Sequence, residues 1–414
     1  MANKIYDRDF SLNQALVLSE LMKFDSLPLH IWGRLAKFNT PDGVAVSPSQ
    51  QPEVTEAVVV IQNELTKKQG DVMKIPMHRQ LVQFPRTGRQ QMAGFEEEPK
   101  VNVMQIPIDI QRHAEKPKDG TMSVQTAKEL DLIKNARPAL LNHYAQVEEL
   151  LGCTYAMYNG FSYNILNSSR FSGHSTITAI SHPNVFVAGT GKIPTTTNYP
   201  GTAAYSQAIA TAIDNIGVSH IFDTDFLRGL KSYRAIQAIP PVIMKDGNKL
   251  RLIFAHPYQI ATLENDDLFN VSAASIYAQS AQRDNPMLFG VKYVWAGFAI
   301  FETDTAVWPV STSGGLPVWG VASPDSLDDF ENYSSYTKFA GMVLGPGTLY
   351  KAFGSRFEFK ERVDDYDEIY GVAYRVVEGY GRGEYWNDDD GTRGQYLVNK
   401  SSAIFITYAA APTM

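Results

Sequence analysis

The sequence predicts an α+β fold, and three observations carry that prediction. The stretch 123–151 reads as one long amphipathic helix. Two extended segments, 72–84 and 101–113, stand directly before it. After it comes a mixed region of helices and strands to about residue 340, then a β-rich return to the end of the chain.

The helix comes first because it sets the scale. Leu130, Ile133, Leu140, Leu141, Tyr144, Val147 and Leu151 recur at helical spacing and form an apolar stripe. Lys128, Glu129, Lys134, Asn142, Gln146, Glu148 and Glu149 cover the rest. At 1.5 Å per residue, its length of about 29 residues is roughly 43 Å. Ser123 is the expected N-cap, and Gly152 the expected left-handed stop. Pro138 lies inside the run, removes one ladder hydrogen bond, and predicts a kink near Lys134–Pro138 or two helices end to end.

Composition narrows the function. The 414 residues are 44% hydrophobic and 20% charged, which supports a large core, and the net charge of -7 argues against a broad nucleic-acid-binding face. Cys153 is the single cysteine, so no internal disulfide can form. The first residues lack the apolar centre of a signal peptide. The longest apolar run, Tyr293 to Phe301, is short of the ~20 residues of a membrane span.

Taken in order, residues 1–65 read as an arm with short helices at 11–24 and 55–66 and prolines at 28, 41, 48 and 52. Such a poorly cored segment leans on its own fold or on a neighbour. Met104, Ile106, Ile108 and Ile110 alternate with polar residues and Pro107, a strand pattern, and Pro76 and Pro107 mark edge strands. Paired, the two strands give a hairpin on the order of 40 Å long. Its tip carries Arg86 and Arg89, then Glu96, Glu97 and Glu98. The charged tip and edge prolines suggest that it lies on another molecule; the other reading folds it back on its own domain. Beyond the long helix the pattern predicts a strand at 182–188, a Gly/Thr/Pro loop at 189–201, and a helix at 202–216 with Ile209, Ile213 and Ile216 on one face. Thr224 is the expected cap of a second helix through Tyr233. Asp246-Gly247 marks a hairpin between 242–244 and 249–255. A helix follows Asp266 or Asp267 through Gln282, then a strand pair or bent strand at 291–302 with Gly297 as its weak point. Residues 323–335 form an acidic loop. Strands follow at 356–363 and 369–380, a polar turn at 381–394, and an apolar strand at 401–409.

Catalytic signatures are sparse. Gly189-Thr190-Gly191-Lys192 has part of a phosphate loop, but Ile193 stands where Ser or Thr is needed. Gly173-His174-Ser175 lacks the closing glycine of a nucleophile elbow. The histidines do not pair at metal-ligand spacing, and His143 reads as a packing or surface residue. Asn387-Asp388-Asp389-Asp390-Gly391 lacks the bidentate Glu of a calcium loop and reads as a solvated turn. No catalytic, metal or cofactor residue is assigned.

An elongated hairpin followed at once by a long helix, a mixed α/β region and a β-rich return resembles the tailed-phage major capsid architecture. The motifs resemble the branch long filed as a phage capsid domain of unknown function: Gly70-Asp71, Gly94-Phe95-Glu96-Glu97, Ile108-Asp109-Ile110-Gln111-Arg112, Met122-Ser123-Val124-Gln125, Ala136-Arg137, His256-Pro257 with Leu263, Asn285-Pro286 with Gly290, Gly297-Phe298-Ala299-Ile300, Val343-Leu344-Gly345 and Asp364-Asp365-Tyr366. Leu288 and Tyr293 depart from the pattern, where Phe and Gly are expected. The similarity covers about residues 65–410, and the order of the motifs is its strongest part.

The resemblance implies a Hong-Kong-phage-type major capsid fold: N-terminal arm 1–65, extended hairpin loop 66–120, peripheral domain with spine helix from 121–165 and 341–414, and axial domain 166–340. It implies a subunit of an icosahedral phage head that assembles with itself in hexamers and pentamers in the host cytoplasm and is carried in the virion. Portal, scaffold and cement proteins are the further partners, DNA is touched at most weakly, and no membrane is involved. Arg86, Arg89, Glu96, Glu97 and Glu98 are the expected inter-subunit contacts. Some related shells crosslink a Lys to an Asn between subunits, and no motif here places such a pair. Two other classes stay open at this point: a soluble α/β enzyme, hydrolase-like, built on 170–340, and an encapsulin-type compartment. A β-rich tail or adhesin component is disfavoured by the long helix.

Overall fold

The computed structural model describes residues 32, 35–39, 57–62, 72–78, 101–115, 132–158, 182–193, 203–243, 249–269, 291–303, 308–313, 316–319, 336–364, 369–387 and 396–409.

A strand covered on both faces needs an apolar residue at nearly every position. Four segments meet that condition: β9 (Lys249–Ala255), β11 (Phe298–Glu302), β14 (Lys338–Leu344) and β19 (Ser402–Tyr408). Leu252, Phe254, Ala299, Phe301, Met342, Leu344, Ile404 and Ile406 enter one core, while Ile253, Ala255, Phe298, Ile300, Val343, Ala403 and Phe405 enter a second. These strands are the centre of a ten-stranded mixed sheet. Its path runs β10 (Val291–Trp295), β11, β9, β14, β19, β6 (Val185–Val187), β7 (Gly191–Lys192). Off that path, β8 (Val242–Ile243) pairs with β9, β12 (Trp308–Ser313) with β14, and β13 (Leu316–Trp319) with β12.

Helices cover both faces. α1 (Leu132–Tyr158) and α2 (Ala203–Asp214) supply Val147, Leu151, Met157, Tyr205, Ile209 and Ile213 to the first core. α3 (Thr224–Ser232), α4 (Arg234–Gln237) and α5 (Pro257–Glu264) supply Leu227, Leu230, Ile236, Ile260 and Leu263 to the second. His256 caps α5: its side chain accepts from the Tyr258 amide, Gln259 accepts from the His256 amide at 3.0 Å, and Pro257 fills the first helical position.

A second sheet has five strands, in the order β1 (Ala36–Asn39), β2 (Val59–Gln62), β15 (Leu349–Asp364), β16 (Ile369–Arg382), β5 (Asp109–Glu115). A separate ribbon joins β3 (Val72–His78) to β4 (Val101–Pro107), and a hairpin joins β17 (Glu384–Asn387) to β18 (Tyr396–Asn399).

Several expectations need correction. The helix expected at 55–66 is strand β2: Val58, Val59, Val60 and Ile61 are all buried, and β2 pairs in parallel with both β1 and β15. Residues 32–62 of the expected arm therefore lean, where described, on the chain's own fold. The strand expected at 101–113 is two strands: β4 pairs with β3, and β5 pairs with β16. Asp223, not Thr224, caps α3 by accepting from the Phe226 amide at 2.7 Å; Thr224 instead donates to Asp266. The expected turn at 381–394 begins as the end of β16 and strand β17. Of the alternatives at 291–302 the strand pair is present, closed by Ala296 (φ 53°) and Gly297 (φ 89°), the two positive φ values that a tight hairpin turn requires. The cap at Ser123, the helix at 11–24, the body of the helix after Asp267, the acidic loop at 323–335 and the Gly173-His174-Ser175 motif lie outside the described residues.

The largest correction concerns Gly152. It does not stop α1, which continues to Tyr158, and Pro138 lies within the same continuous helix. Gly152 instead makes room for Trp32: a Cβ at 152 would lie 2.6 Å from Trp32 Cδ1. Trp32 donates through Nε1 to Cys153 Sγ at 3.2 Å and meets Phe254 edge-on. Alanine is favoured over glycine within a helix by about 1 kcal/mol, but overpacking a core costs about 1–3 kcal/mol. Gly152→Ala is therefore expected to lower stability, against the propensity rule, which urea unfolding of the variant would measure. Trp32→Ala should cost about 3–5 kcal/mol in the same assay.

Candidate assembly loop and its buried anchor

The extended loop is seated by the period-2 pattern of the strands beneath it. On β3 and β4, Met73, Ile75, Met104 and Ile106 face inward and pack on Tyr350, Ala352 and Val377 of β15 and β16. A side chain at Gly381 would lie 2.9 Å from Ile106, so this glycine lets the ribbon settle onto β16. Val72 and Val103 face outward and are 42% and 48% exposed. Ile108, buried at the break between β4 and β5, hands the chain from the ribbon to the five-stranded sheet. The base of the ribbon is thus packed on its own body, as the second reading of the hairpin expected. Arg86, Arg89, Glu96, Glu97 and Glu98 lie outside the described residues.

The helix α1 takes the opposite face of the same two strands. Leu140 and Tyr144 pack with Phe353, Phe357, Val372, Tyr374 and Val376. In the middle of this contact sits a charged cluster. Lys351 of β15 contacts Glu148 of α1 and lies 2.9 Å from Glu378 Oε2 of β16. The Tyr144 hydroxyl lies 2.5 Å from Glu148 Oε1 and 2.9 Å from Glu378 Oε2, and the Tyr380 hydroxyl lies 3.4 Å from each carboxyl group. The rings of Phe353, Tyr380 and Tyr144 surround Nζ at 4.6, 5.2 and 5.7 Å. Burial pushes the Lys351 ammonium below its usual range, although Glu378 opposes this, and burial pushes Tyr144 and Tyr380 well up. Sequence reasoning placed Glu148 on the solvent side of α1; it is 1% exposed. The available signal was its position one turn beyond Tyr144, on the edge of the apolar stripe.

A second buried cation closes the end of α1. Arg382 donates through Nη1 to the Met157 carbonyl at 2.7 Å and through Nε to Glu384 Oε2 at 2.7 Å. A positive charge there complements the carbonyl end of the helix. Toward the middle of the helix, the His143 ring stacks on His113 of β5, with centroids 4.0 Å apart, and Nδ1 lies 3.2 Å from the Tyr374 hydroxyl.

None of the other sequence motifs gathers a catalytic set among the described residues. Gly189 and Gly191, both at positive φ, turn β6 into β7, and Gly191–Lys192 run on as a strand where a phosphate loop would enter a helix. His182 Nδ1 accepts the Asn184 amide, so Nε2 carries the proton and donates to Ser402 Oγ at 3.0 Å. That arrangement leaves no basic nitrogen to activate the serine. No group of three or more His, Cys, Asp or Glu among the described residues could hold a metal, and the Asp388–Asp390 stretch lies outside them. No helix among the described residues is long and apolar enough to cross a membrane.

Two outcomes follow from this geometry. Removing one member of a buried ion pair costs about 3–5 kcal/mol; Lys351→Met should lose that much in chemical denaturation while leaving α2–α5 folded. His143 is lowered to about 4, first by burial and then by His113. The unfolded chain protonates this residue near its ordinary value while the folded chain does not, so stability falls as pH drops from 6.5 toward 4. His143→Phe should flatten that part of a denaturation-versus-pH profile.

The comparisons agree with this architecture. No curated protein matches the chain. Among solved structures, the capsid of Ralstonia phage GP4 is 17% identical, with a TM-score of 0.60 over 91% of this chain and 98% of that one. The cyanophage Pam1 capsid subunit is 13% identical, with a TM-score of 0.54 over 90% and 100%. The head of Helicobacter pylori bacteriophage KHP40 is 11% identical, with a TM-score of 0.52 over 89% and 95%. At these identities the likeness establishes the Hong-Kong-phage-type capsid fold. The family model described as phage capsid protein matches residues 19–411, so the chain belongs to the phage capsid protein family.

Proposed function

We propose that the chain is the major capsid protein of a tailed phage, the repeated subunit of an icosahedral head that encloses the genome. The family match over nearly the whole chain carries this reading. The ribbon on one face of β15–β16 and the long helix on the other support it, because that arrangement braces the base of the loop against the body. Closed symmetry lets one surface type recur through hexamers and pentamers, and individually weak contacts gain strength when several act together. Portal, scaffold and cement proteins complete the partners, and packaged DNA meets the shell by weak non-specific contact. The working division is an arm (1–65), a loop (66–120), a peripheral part holding α1 with β15 and β16, and an axial part within 166–340 that shares its sheet with β14 and β19. The role is structural.

The loop extends across a neighbouring subunit. Its outer face at the base is apolar at Val72 and Val103, and Arg86, Arg89, Glu96, Glu97 and Glu98 meet opposite charges on that neighbour. Exposed ion pairs contribute only about 0–1 kcal/mol each, so they set register more than strength.

Deletion of residues 84–100 tests this. The expected product is a folded, soluble subunit that forms no closed shells by electron microscopy; normal shells would refute the loop's role. Imaging of the intact chain tests the wider reading, since a small stable oligomer in place of shells would overturn it.

A further inference from the structure

Three cations from α3 and β9 converge on the turn that joins β10 to β11. A Cβ at Gly297 would lie 3.7 Å from Lys231 Nζ, so the Lys231 ammonium stands against this turn. The Arg251 amide donates to the Gly297 carbonyl at 3.1 Å. Arg228 lies over Trp295, with Cζ 5.4 Å from the ring centroid. Lys249 stands two residues before Arg251 on β9 and so on the same face. Like charges gathered this way repel, and little on the chain offsets them. Arg228 meets Asp225 at 3.4 Å, but those side chains are 54% and 80% exposed, so the pair holds weakly. Arg251 donates from Nε and Nη2 to the Ile239 and Gln237 carbonyls, which carry no net charge. No carboxylate among the described residues pairs with Lys231, Lys249 or Arg251. The Trp295 Nε1 donor beside Arg228 is buried and has no acceptor.

Cations elsewhere among the described residues are already matched. Lys292 bridges Glu264 and Glu302, Lys351 meets Glu148 and Glu378, Arg382 meets Glu384, and Lys338 donates to the Ile213 carbonyl. Arg112 and Arg375 face each other across β5 and β16, but Glu358 stands opposite Arg375 on β15. We propose that the β10–β11 turn, with Arg228, Lys231, Lys249 and Arg251 around it, is the seat of Glu96-Glu97-Glu98 from a second copy of the chain. The proposal rests on the reading of the chain as a shell subunit whose loop crosses to a neighbour, and it gives that loop an address.

Charge and reach select this occupant. The chain, at a net charge of -7, has two runs of three consecutive carboxylates, Glu96-Glu97-Glu98 and Asp388-Asp389-Asp390. The first lies in residues 79–100, which join β3 to β4, and the second in residues 388–395, which join β17 to β18. Fully extended and doubled back, the longer segment reaches roughly 35 Å from its base and the shorter roughly 13 Å. Only the longer has the span to cross to another molecule. Phe95 precedes its carboxylates, and the partly buried Trp295 and Ala296 offer an apolar edge for that ring. A nucleic-acid duplex fits less well. It carries a charge every ~1.7 Å of its axis and rewards a long basic face, whereas these cations gather at a single turn.

Charge exchange in the full-length chain provides the first test. Arg228 and Lys231 are exposed, so Arg228→Glu with Lys231→Glu is expected to fold with the wild-type melting profile. That double variant, and separately Glu96→Lys with Glu97→Lys and Glu98→Lys, should each lower the yield of closed shells seen by electron microscopy about tenfold or more, because every copy repeats the repulsion. All five changes in one chain should restore the yield. Normal shells from the patch variant overturn the proposal, as does a combined chain that stays defective. Rescue of the patch variant by Asp388→Lys with Asp389→Lys and Asp390→Lys would assign the seat to the other hairpin. Normal shells with duplex DNA binding lost would assign it to the genome. Either result overturns the proposal. Crosslinking provides the second test and does not need the charge-reversed chains to fold. The single native cysteine, Cys153, is buried, so Lys231→Cys with Glu97→Cys adds the only accessible thiols among the residues concerned. A short bis-maleimide should join this chain into dimers and higher multimers, and neither single-cysteine variant should do so. A link confined to one chain would put the chain's own loop on the patch and overturn the proposal. The two readings fail separately. Wild-type shells with no such link sink the seat and leave the capsid reading standing. A wild type that forms only small oligomers sinks the capsid reading, and the link within those oligomers still decides the seat.

Discussion

Removing a lysine ammonium from water costs several kcal/mol even after the protein relaxes. Lys351 is buried, and what makes its burial tolerable is that Glu148, Glu378 and three aromatic rings converge on it. Those groups come from α1, β15 and β16, more than two hundred positions apart in the chain at the extremes. The apolar stripe of α1 is non-directional and would tolerate a slide along the sheet. A slide of one turn, about 5.4 Å, would withdraw Glu148 from Lys351 and leave both charges buried without their mates. The cluster therefore fixes the register of the helix, and Arg382, holding the Met157 carbonyl, fixes its far end.

The ribbon gains from the same sheet. A lone two-stranded ribbon is marginal in water. Here its base borrows Tyr350, Ala352 and Val377 as a third layer, and β4 runs on into β5, which is hydrogen-bonded to β16. The base is thus held by packing and by backbone, while the outward residues Val72 and Val103 stay available. Helix and ribbon compete for nothing, because alternate residues of each strand point to opposite faces.

Much of the axial fold was legible because its signals are local. Asp246-Gly247, His256-Pro257 and the Ile209, Ile213, Ile216 stripe each lie within a few residues of the structure they specify, and hairpin, capped helix and buried helix face follow. The misreadings share a cause: a distant partner decided the outcome. Val58 to Ile61 fits a short helix until β1 and β15 flank it. Gly152 reads as a helix stop until Trp32, 120 positions away, fills the space its side chain leaves. Glu148 reads as solvated until Lys351 arrives from β15. The anchor was invisible for the same reason, since no spacing in the sequence joins 148, 351 and 378. The strands of the ribbon were legible as a pattern of alternation, because the period-2 signal at Met104 and Ile106 is local.

The placement of loop and anchor on two faces of one strand pair has a mechanical meaning. Tyr350 meets the ribbon, and the next residue is Lys351; Val377 meets the ribbon, and the next residue is Glu378. Consecutive peptide units are nearly rigid planes, so a tilt of β15 or β16 that accommodates the ribbon also moves the groups of the cluster. β15 and β16 are 16 and 14 residues long and paired over most of that length, with irregular register between Phe353 and Glu358. Bulges of that kind increase local twist and bend a strand. The irregularity begins just beyond Lys351, so the sheet bends where ribbon and helix are both seated. A shell subunit needs a body that keeps its shape while its loop is pulled by neighbours. In this chain the base of the ribbon is seated on the same few residues that set the register of the long helix.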